Sequence, residues 1–335
     1  MRKVEYAIFF LLFASIFLTA KVVPLPDLVS AERLLVDDTQ MYVSEGTSIY
    51  IYSLKDFQLK KKFGRKGEGP REFIVQPPVP LIINLREDNI IVTSRRKISI
   101  FSKDGVFKKE TRIPAAFVFF IKPLGDRFTG FGITRGDDQK FYRTINIYDS
   151  KLTKVKEVFR TIHDFQTPGH GYNAFVPWAY TTYNDKIFIP WKTEFCIDVF
   201  DSTGDLLYSI KEKYKNVKVT KAHEKEHEDA LQIDPNTKQF YERMKPFRYP
   251  DYFPAILDIR VTDNKIYTIT YKNENNKNEC FIFDLKGKLL KKTFITLQKL
   301  DINSHYPFDI KKGKVYQVLE NEYTEGWDLH VNEVN

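Results

Sequence analysis

One five-residue segment of the chain has the spacing of a metal centre. Residues 223–227 read His-Glu-Lys-Glu-His, two histidines four apart with an adjacent glutamate, as in zinc proteases. On a helix both imidazoles would share one face. The spacer residues are Lys and Glu, however, acidic residues follow, and no third ligand lies at a familiar spacing. We interpret the segment as a solvated, charged helix on which zinc binding would be adventitious, and we expect His223→Ala to leave stability and activity unchanged.

The other reactive residue types form no recognised catalytic arrangement. No Ser-His-Asp order, Walker loop or dinucleotide fingerprint is present. Cys196 and Cys280 occupy corresponding strands at offsets that place them on opposite faces, so we expect no disulfide, and no zinc-type cysteine spacing exists. Asp137 and Asp138 beside Gly136 predict a hairpin turn, with a calcium site as the alternative. The sequence predicts no catalytic residue, no metal ligand and no cofactor other than that calcium.

Residues suited to ligand recognition concentrate in long connections, at 64–80, 160–178, 217–247 and 294–306. Aromatic rings and guanidinium groups bind sugars, peptides or anions through stacking and forked hydrogen bonds. The candidate ligand-binding residues are Arg65, Arg71, His170, Tyr172, Trp178, Tyr180, Arg248, Tyr252, Arg260 and Tyr306. Structural alternatives remain: Trp178 and Tyr180 could pack between sheets, and Arg260 could form an ion pair with Asp258 facing a central channel.

The elements that would position these residues are repeated strands. A short alternating strand recurs at 49–52, 98–101, 145–148, 197–200 and 280–283, with a degenerate copy at 328–331. Most copies are 47 to 52 residues apart, and the one spacing of 83 fits a single period plus an insert. Repeats of this size built from short strands are typical of β-propellers. We therefore predict an all-β fold, a six-bladed β-propeller with a short helical insert at 217–247 between blades four and five.

The insert and the two chain ends have further predicted structure. Helices are expected over 220–231 and 237–245, with Asp234 as N-cap and Pro235 as first helical residue. The last repeat stops after its third strand, at Asn335. Residues 21–29 could supply the missing outer strand and close the ring, their prolines suiting an edge strand. A disordered leader is the alternative that the sequence leaves open.

The N-terminus predicts export. Residues 1–20 contain Arg2 and Lys3 followed by the apolar stretch 7–20, which is short for a membrane span and typical of a signal peptide. An uncleaved membrane anchor is the alternative; otherwise the mature chain, one domain over 21–335, has no membrane span. The net charge of +8 comes from lysines spread over outer strands, so we expect no nucleic-acid partner and a periplasmic or extracellular monomer.

Two segments resemble a known family. Residues 63–73 read FGRKGEGPREF, a Gly-rich connection similar to that of the NHL repeat. Residues 249–254, which lead into a strand at 258–261, resemble an exported six-bladed β-propeller family of bacteria. Over residues 30–334 the chain resembles the exported six-bladed β-propeller family of bacteria. Only one blade keeps the full loop, which departs from NHL proteins. The resemblance implies fold and export, not a reaction.

Two functions are compatible with this sequence. The first is an exported, non-catalytic binding or scaffold propeller that recognises a protein, peptide or glycan at its loop-rich face. The alternative is a propeller hydrolase or lyase, lactonase-like, with a metal or acid/base site in the channel. The first strands, such as 80–85 and 116–121, are mostly apolar, which favours the binding function. Three or more carboxylate or amide side chains at the channel mouth would favour the enzyme.

Overall fold

The structure is a computed structural model of the chain. It describes residues 21–75, 79–95, 97–113, 119–163, 166–167, 171–175, 179–233, 235–275 and 277–334. The predicted signal peptide or anchor, residues 1–20, lies outside the described residues. Across the ranges given, no helix combines the length and apolarity needed to span a bilayer.

Six four-stranded antiparallel sheets form the blades of a propeller, as the repeat predicted. Their strands, from first to fourth, are Arg33–Val36, Gln40–Glu45, Ser48–Ser53 and Leu59–Phe63; Ile82–Arg86, Asn89–Ser94, Lys97–Ser102 and Phe107–Arg112; Phe119–Leu124, Arg127–Arg135, Phe141–Tyr148 and Lys154–Ile162; Thr181–Tyr183, Lys186–Pro190, Cys196–Phe200 and Leu206–Lys211; Asp258–Thr262, Lys265–Glu274, Lys277–Asp284 and Leu289–Thr296; Phe308–Lys311, Lys314–Asn321, Gly326–Glu333 and Lys21–Pro24. The first strand of each blade contacts the first strands of both neighbouring blades. These six strands therefore surround the central channel.

The alternating third strands stabilise the ring because both of their faces are buried. In blade one, Tyr50 and Tyr52 pack with Tyr316 and Leu329 of blade six. On the opposite face of the same strand, Ile49 and Ile51 pack towards blade two. A single sheet could not bury both faces, and the neighbouring blades supply the missing surface.

The N-terminal strand closes the ring. Lys21–Pro24 pairs antiparallel with the third strand of blade six, placing Lys21 opposite Val331 and Pro24 opposite Asp328. Leu25 then donates its backbone N–H to Trp327 O at 2.7 Å and enters the core between blades six and one. The predicted closure is confirmed for the four residues of this strand.

The insert between blades four and five contains both predicted helices, α1 over Lys221–Ile233 and α2 over Pro235–Met244. The expected N-cap, Asp234, lies outside the described residues. Backbone hydrogen bonds of 2.9 Å from Val219 N to Asp251 O and from Phe253 N to Val217 O close the base of the insert. We call residues 217–253 the cap.

Short additional strands tie the long connections together. Arg65–Lys66 pairs with Glu72–Phe73 in the Gly-rich loop, and Lys299–Asp301 pairs with Ser304–His305. A three-stranded sheet of Gln166–Thr167, Gly171–Asn173 and Phe247–Arg248 joins the loop after blade three to the cap. The repeat pattern did not predict these strands, because they lie outside the repeated unit.

The cysteines and the Gly136 turn need no ligand to explain them. Cys196 and Cys280 are both free and buried, and Cys280 lies in the core between blades five and six. At the turn, Gly136 N donates to Lys140 O at 2.8 Å, and the Asp138 carboxylate accepts a hydrogen bond from Tyr142 Oη. These contacts confirm a hairpin turn.

Candidate functional site

The helix with the metal-like histidine spacing packs against the propeller. His227 is only 8% exposed; its ring lies 5.1 to 5.7 Å from the rings of Phe175, Phe247 and Tyr249, and Nδ1 is 3.1 Å from Tyr249 Oη. Burial lowers the pKa of His227. The interpretation of a fully solvated helix was therefore wrong for this face.

The opposite face of α1 is charged, as predicted. Lys221 pairs with Glu224 at 2.8 Å, and Lys225 pairs with Asp229. His223 also has a structural role: its Nδ1 accepts the Thr220 backbone N–H at 3.2 Å and its ring lies 5.0 Å from that of Phe253. In the part of the chain that the structure describes, no group of three His, Cys, Asp or Glu side chains could hold a metal ion.

The cap and the first strands together enclose a cavity of about 410 Å³ at the channel, which we call the channel cavity. Four charged residues of the first strands line it: Arg33, Lys122, Asp258 and Arg260. The cap contributes His227, Leu231, Met244 and Phe247, and the connections contribute Asn173, Ala174, Phe175 and Asn303. Residues of blades one, three and five thus meet beneath the cap, although they are far apart in the sequence.

A second cavity of about 230 Å³ shares part of this lining. Arg33, Lys122, Asp258 and Arg260 line both cavities. The second cavity adds Glu32, Asn84, His305 and Tyr306. Burial lowers the pKa of His305 to about 4, so its imidazole is neutral at pH 7 and adds no positive charge.

The channel cations are incompletely paired. Arg260 Nη2 binds Asp258 Oδ2 at 3.0 Å, and its guanidinium lies 4.6 Å from the Phe308 ring centroid, yet Nε is buried without a hydrogen-bond partner. The Lys122 ammonium lies 5.7 Å from the Tyr180 ring centroid. Within the described ranges, neither Arg33 nor Lys122 forms a side-chain hydrogen bond or an ion pair.

These charges are held at an electrostatic cost. Burial, reinforced by Arg260 and Arg33, lowers the pKa of Lys122 to about 8. Burial and the neighbouring Arg260 also lower the pKa of Arg33. Desolvation and like charges both disfavour a cation, so the charged forms of these side chains are less stable in the channel than in water.

The predicted ligand-binding residues fall into two groups. Tyr180 and Arg260 line the channel cavity, and Arg260 and Tyr306 line the second cavity. Tyr180 is also structural, because its buried hydroxyl donates to Phe120 O at 2.6 Å. The packing alternative for Tyr180 and the ion-pair alternative for Arg260 therefore both describe real contacts.

The remaining candidates lie elsewhere. Arg65 pairs with Glu72 at 2.8 Å, and Arg71 lies over the Phe107 ring, both in the Gly-rich loop or beside it. Tyr172 and Arg248 belong to the sheet that joins loop and cap, and exposed Tyr252 pairs with Lys218 at the base of the cap. His170 and Trp178 lie outside the described residues.

Sequence reasoning missed Arg33 and Lys122. Each is a cation within a short, otherwise mostly apolar first strand, and each alternates with residues that face the blade core: Leu34 beside Arg33, and Ile121 beside Lys122. The description of the first strands as mostly apolar overlooked this alternation. The signal that could have identified them is the alternation of side chains along a strand, with a charged residue at a position that faces away from the blade core.

No protein-family model and no curated protein matches the chain. Its fold is similar to that of a Bacteroides fragilis protein assigned as exported, with 11% identity, a TM-score of 0.52, and coverage of 94% of this chain and 95% of that chain. It is also similar to a member of the DUF4221 family from Bacteroides vulgatus, with 12% identity, a TM-score of 0.54, and coverage of 93% and 95% respectively.

At these identities the likeness establishes the fold alone. The chain shares a propeller fold with bacterial proteins, one of them assigned as exported, and this agrees with the exported bacterial family that the sequence resembles. Its kinship with the NHL repeat stays a prediction, as does the export of this chain.

Proposed function

We propose that this chain is an exported, non-catalytic binding propeller that holds a protein, peptide or glycan ligand at the face covered by the cap. The channel cavity is the observation that supports this proposal most strongly. Its volume of about 410 Å³ lies in the range of ligand pockets. A side chain, a chain terminus or one saccharide unit of a larger ligand would fit there.

The lining of the channel cavity suits recognition. Aromatic rings surround it from a first strand, the second strand of blade five, the connections and the cap: Phe120, Tyr271, Phe175, Tyr180 and Phe247. Such rings supply contact area at low entropic cost. Polar groups between them, including Asn173 and Asn303, would orient a ligand. Because the cap is bound to the connection after blade three by backbone pairing, much of this wall is preformed.

The enzyme alternative has less support. Asn173, Asp258 and Asn303 line the channel cavity and Asn84 lines the second cavity, so the three carboxylate or amide side chains that would favour an enzyme are present at the channel. However, Asp258 is already paired with Arg260, and three cations share the same space. Their repulsion opposes the binding of calcium or another metal cation.

Filling the channel cavity tests the proposed function. Ala179 lines the cavity, and Ala179→Trp would occupy it, with Ala179→Leu as a milder variant should the larger one fold poorly. Val106→Trp is the matched control, because Val106 is exposed on blade two and outside the cavity. The purified variants would be screened against peptide and glycan arrays. We expect ligands of the unaltered chain and the control to lose at least tenfold in affinity in both Ala179 variants. Binding that neither variant weakens, or the absence of any ligand, would contradict the proposal.

A further inference from the structure

We propose that the channel cavity binds an oxyanion, a carboxylate or phosphate group, attached to a small apolar body, with Arg33, Lys122 and Arg260 as the anion-binding residues. This inference rests on the proposed binding function and adds the chemical class of the ligand. Four observations on the cavity carry it: its charge balance, its unused donors, the partners of the nearby carboxylates, and its apolar wall.

The charge balance of the channel cavity is positive. Among the described residues, three cations and one carboxylate, that of Asp258, line it. Asp258 neutralises one cation through its 3.0 Å contact with Arg260. His227 lines the cavity too, but burial lowers its pKa, so it stays neutral at pH 7. An excess of positive charge therefore faces a space that only partly contacts solvent, where electrostatic attraction is stronger than in water.

Hydrogen-bond donors remain available on the same side chains. Arg260 Nε is buried without a partner. Among the residues with described positions, Arg33 and Lys122 use none of their side-chain donors. Buried donors without partners are costly, and an oxyanion would accept from guanidinium and ammonium groups together.

Within the described ranges, the other nearby carboxylates form no ion pair with Arg33 or Lys122, although the charge of Asp309 favours the protonated form of Lys122. Both Asp309 oxygens accept backbone N–H groups, Oδ2 from Val36 at 2.8 Å and Oδ1 from Ile310 at 2.9 Å, and Asp309 does not line the channel cavity. Glu32 lines the second cavity alone, and burial raises its pKa. Among the described residues, Asp258 is the one carboxylate that lines the channel cavity, and it already pairs with Arg260.

The cap and the connection beside it contribute apolar side chains to the lining of the channel cavity. Leu231, Met244 and Phe247 come from the cap, and Phe175 comes from the connection beside it. A ligand with an anionic group towards the first strands and an aromatic or aliphatic body towards the cap would match both halves. A bare inorganic anion would leave the apolar half unused, so we expect it to bind more weakly.

Matched probes separate charge from shape. Phenylacetate carries a carboxylate and phenyl phosphate carries a phosphate, each attached to the same apolar body, a phenyl ring. Phenylacetamide is the neutral counterpart of phenylacetate. Isothermal titration calorimetry on the purified protein should show at least one anion binding ten to a hundred times more tightly than the amide, the range for charge-assisted hydrogen bonds. The tighter of the two anions identifies the source of the oxyanion. Equal binding of anion and amide would overturn the inference, as would no binding of either anion at millimolar concentration.

Lys122→Met tests the assignment of the residues. Lys109→Met is the matched control, since Lys109 is exposed on the outer strand of blade two and changes the net charge equally. We expect the Lys122 variant to bind the preferred anion at least tenfold more weakly, with the amide unaffected, and the control to bind as the unaltered chain does. The melting temperature of the Lys122 variant should not fall, because the substitution removes an unpaired, partly buried charge, whereas replacing a lysine with a purely structural role would lower it. Arg33→Met provides a second, independent variant with the same expectation.

The outcomes distinguish the two proposals. If neutral ligands bind, if Ala179→Trp abolishes that binding and if Lys122→Met does not change it, the binding function stands and the anion inference fails. If Ala179→Trp changes nothing while the Lys122 and Arg33 variants lose anion binding, the anion site lies outside the volume that we assign, and the proposed function fails.

Discussion

The Gly-rich loop and the channel cavity both concentrate basic residues, but they use them differently. In the loop, Arg65 is paired with Glu72. The buried Lys97, from the third strand of blade two, donates to the loop carbonyls of Gly69 at 2.8 Å and Glu68 at 3.3 Å and binds Glu110 at 3.0 Å. In the channel, Arg33 and Lys122 have no such partners within the described ranges. Basic residues that are satisfied by their own chain stabilise a loop, whereas unsatisfied ones are available to a ligand.

The largest effect should come from the loop. Lys97 is only 7% exposed, and Lys97→Met would remove its three bonds and leave Glu110 without its cation. We expect a loss of about 3 kcal/mol in the free energy of unfolding, measured by urea denaturation, with no change in ligand affinity. Lys109→Met, on the surface, is the control and should unfold as the unaltered chain does. A Lys97 variant of full stability would show that the loop does not depend on this lysine.

A smaller effect is expected in the cap. His227→Ala would remove the ring that packs among Phe175, Phe247 and Tyr249. We expect a local loss of about 2 kcal/mol, seen as faster amide hydrogen exchange in α1 and weaker ligand binding, with the blades unaffected. His227→Phe should restore most of the packing. Exchange in α1 that is unchanged in the alanine variant would contradict the packing role.

In the channel, unlike in the loop, the charged lysine should lower the stability of the folded chain. The pKa of Lys122 is lowered from 10.5 to about 8, so between these values the unfolded chain binds more protons than the folded one, and stability rises with pH in that window. The charged groups around Lys122 are Arg33, Arg260, Asp258 and Asp309. Relative to Lys122→Met, the unaltered chain should therefore gain about 2 kcal/mol between pH 8 and pH 10, measured by urea denaturation at each pH. Parallel pH profiles would show that Lys122 is not held under electrostatic cost.

The smallest effect should be at the most exposed pair of the loop. Arg65 is 78% exposed in its pair with Glu72, and Glu72 keeps its hydrogen bond from Gly69 N at 2.9 Å without it. Arg65→Ala should leave the melting temperature unchanged within error, since exposed ion pairs contribute little. A clear drop in the melting temperature would contradict this expectation and show that the loop depends on its surface charges as well as on Lys97.

The predictable part of the molecule was the part that repeats. The third strands, the two cap helices and the closing strand Lys21–Pro24 follow from alternation, helix signals and the incomplete last blade. The cavity did not follow, because residues 33, 122 and 260 come together only when the ring closes. Arg260, alternating with Asp258, was a candidate for the channel, but Arg33 and Lys122 each look like an isolated charge in their own strands. Packing of His227 was missed for a similar reason: its apolar partners lie in the loop at 171–175 and in the returning segment of the cap.

The closing strand also sets an order of events in folding. Blade six takes three strands from residues 308–333 and its fourth from residues 21–24, so this sheet cannot be completed until residue 333 has been synthesised. Until then the strand Lys21–Pro24 has no strand to pair with, and unpaired strands can join with other chains. Contacts between residues so distant in the sequence slow folding. Removing residues 21–24 would leave a ring that assembles but has an unpaired strand edge in blade six, prone to joining edge to edge with copies of the same chain.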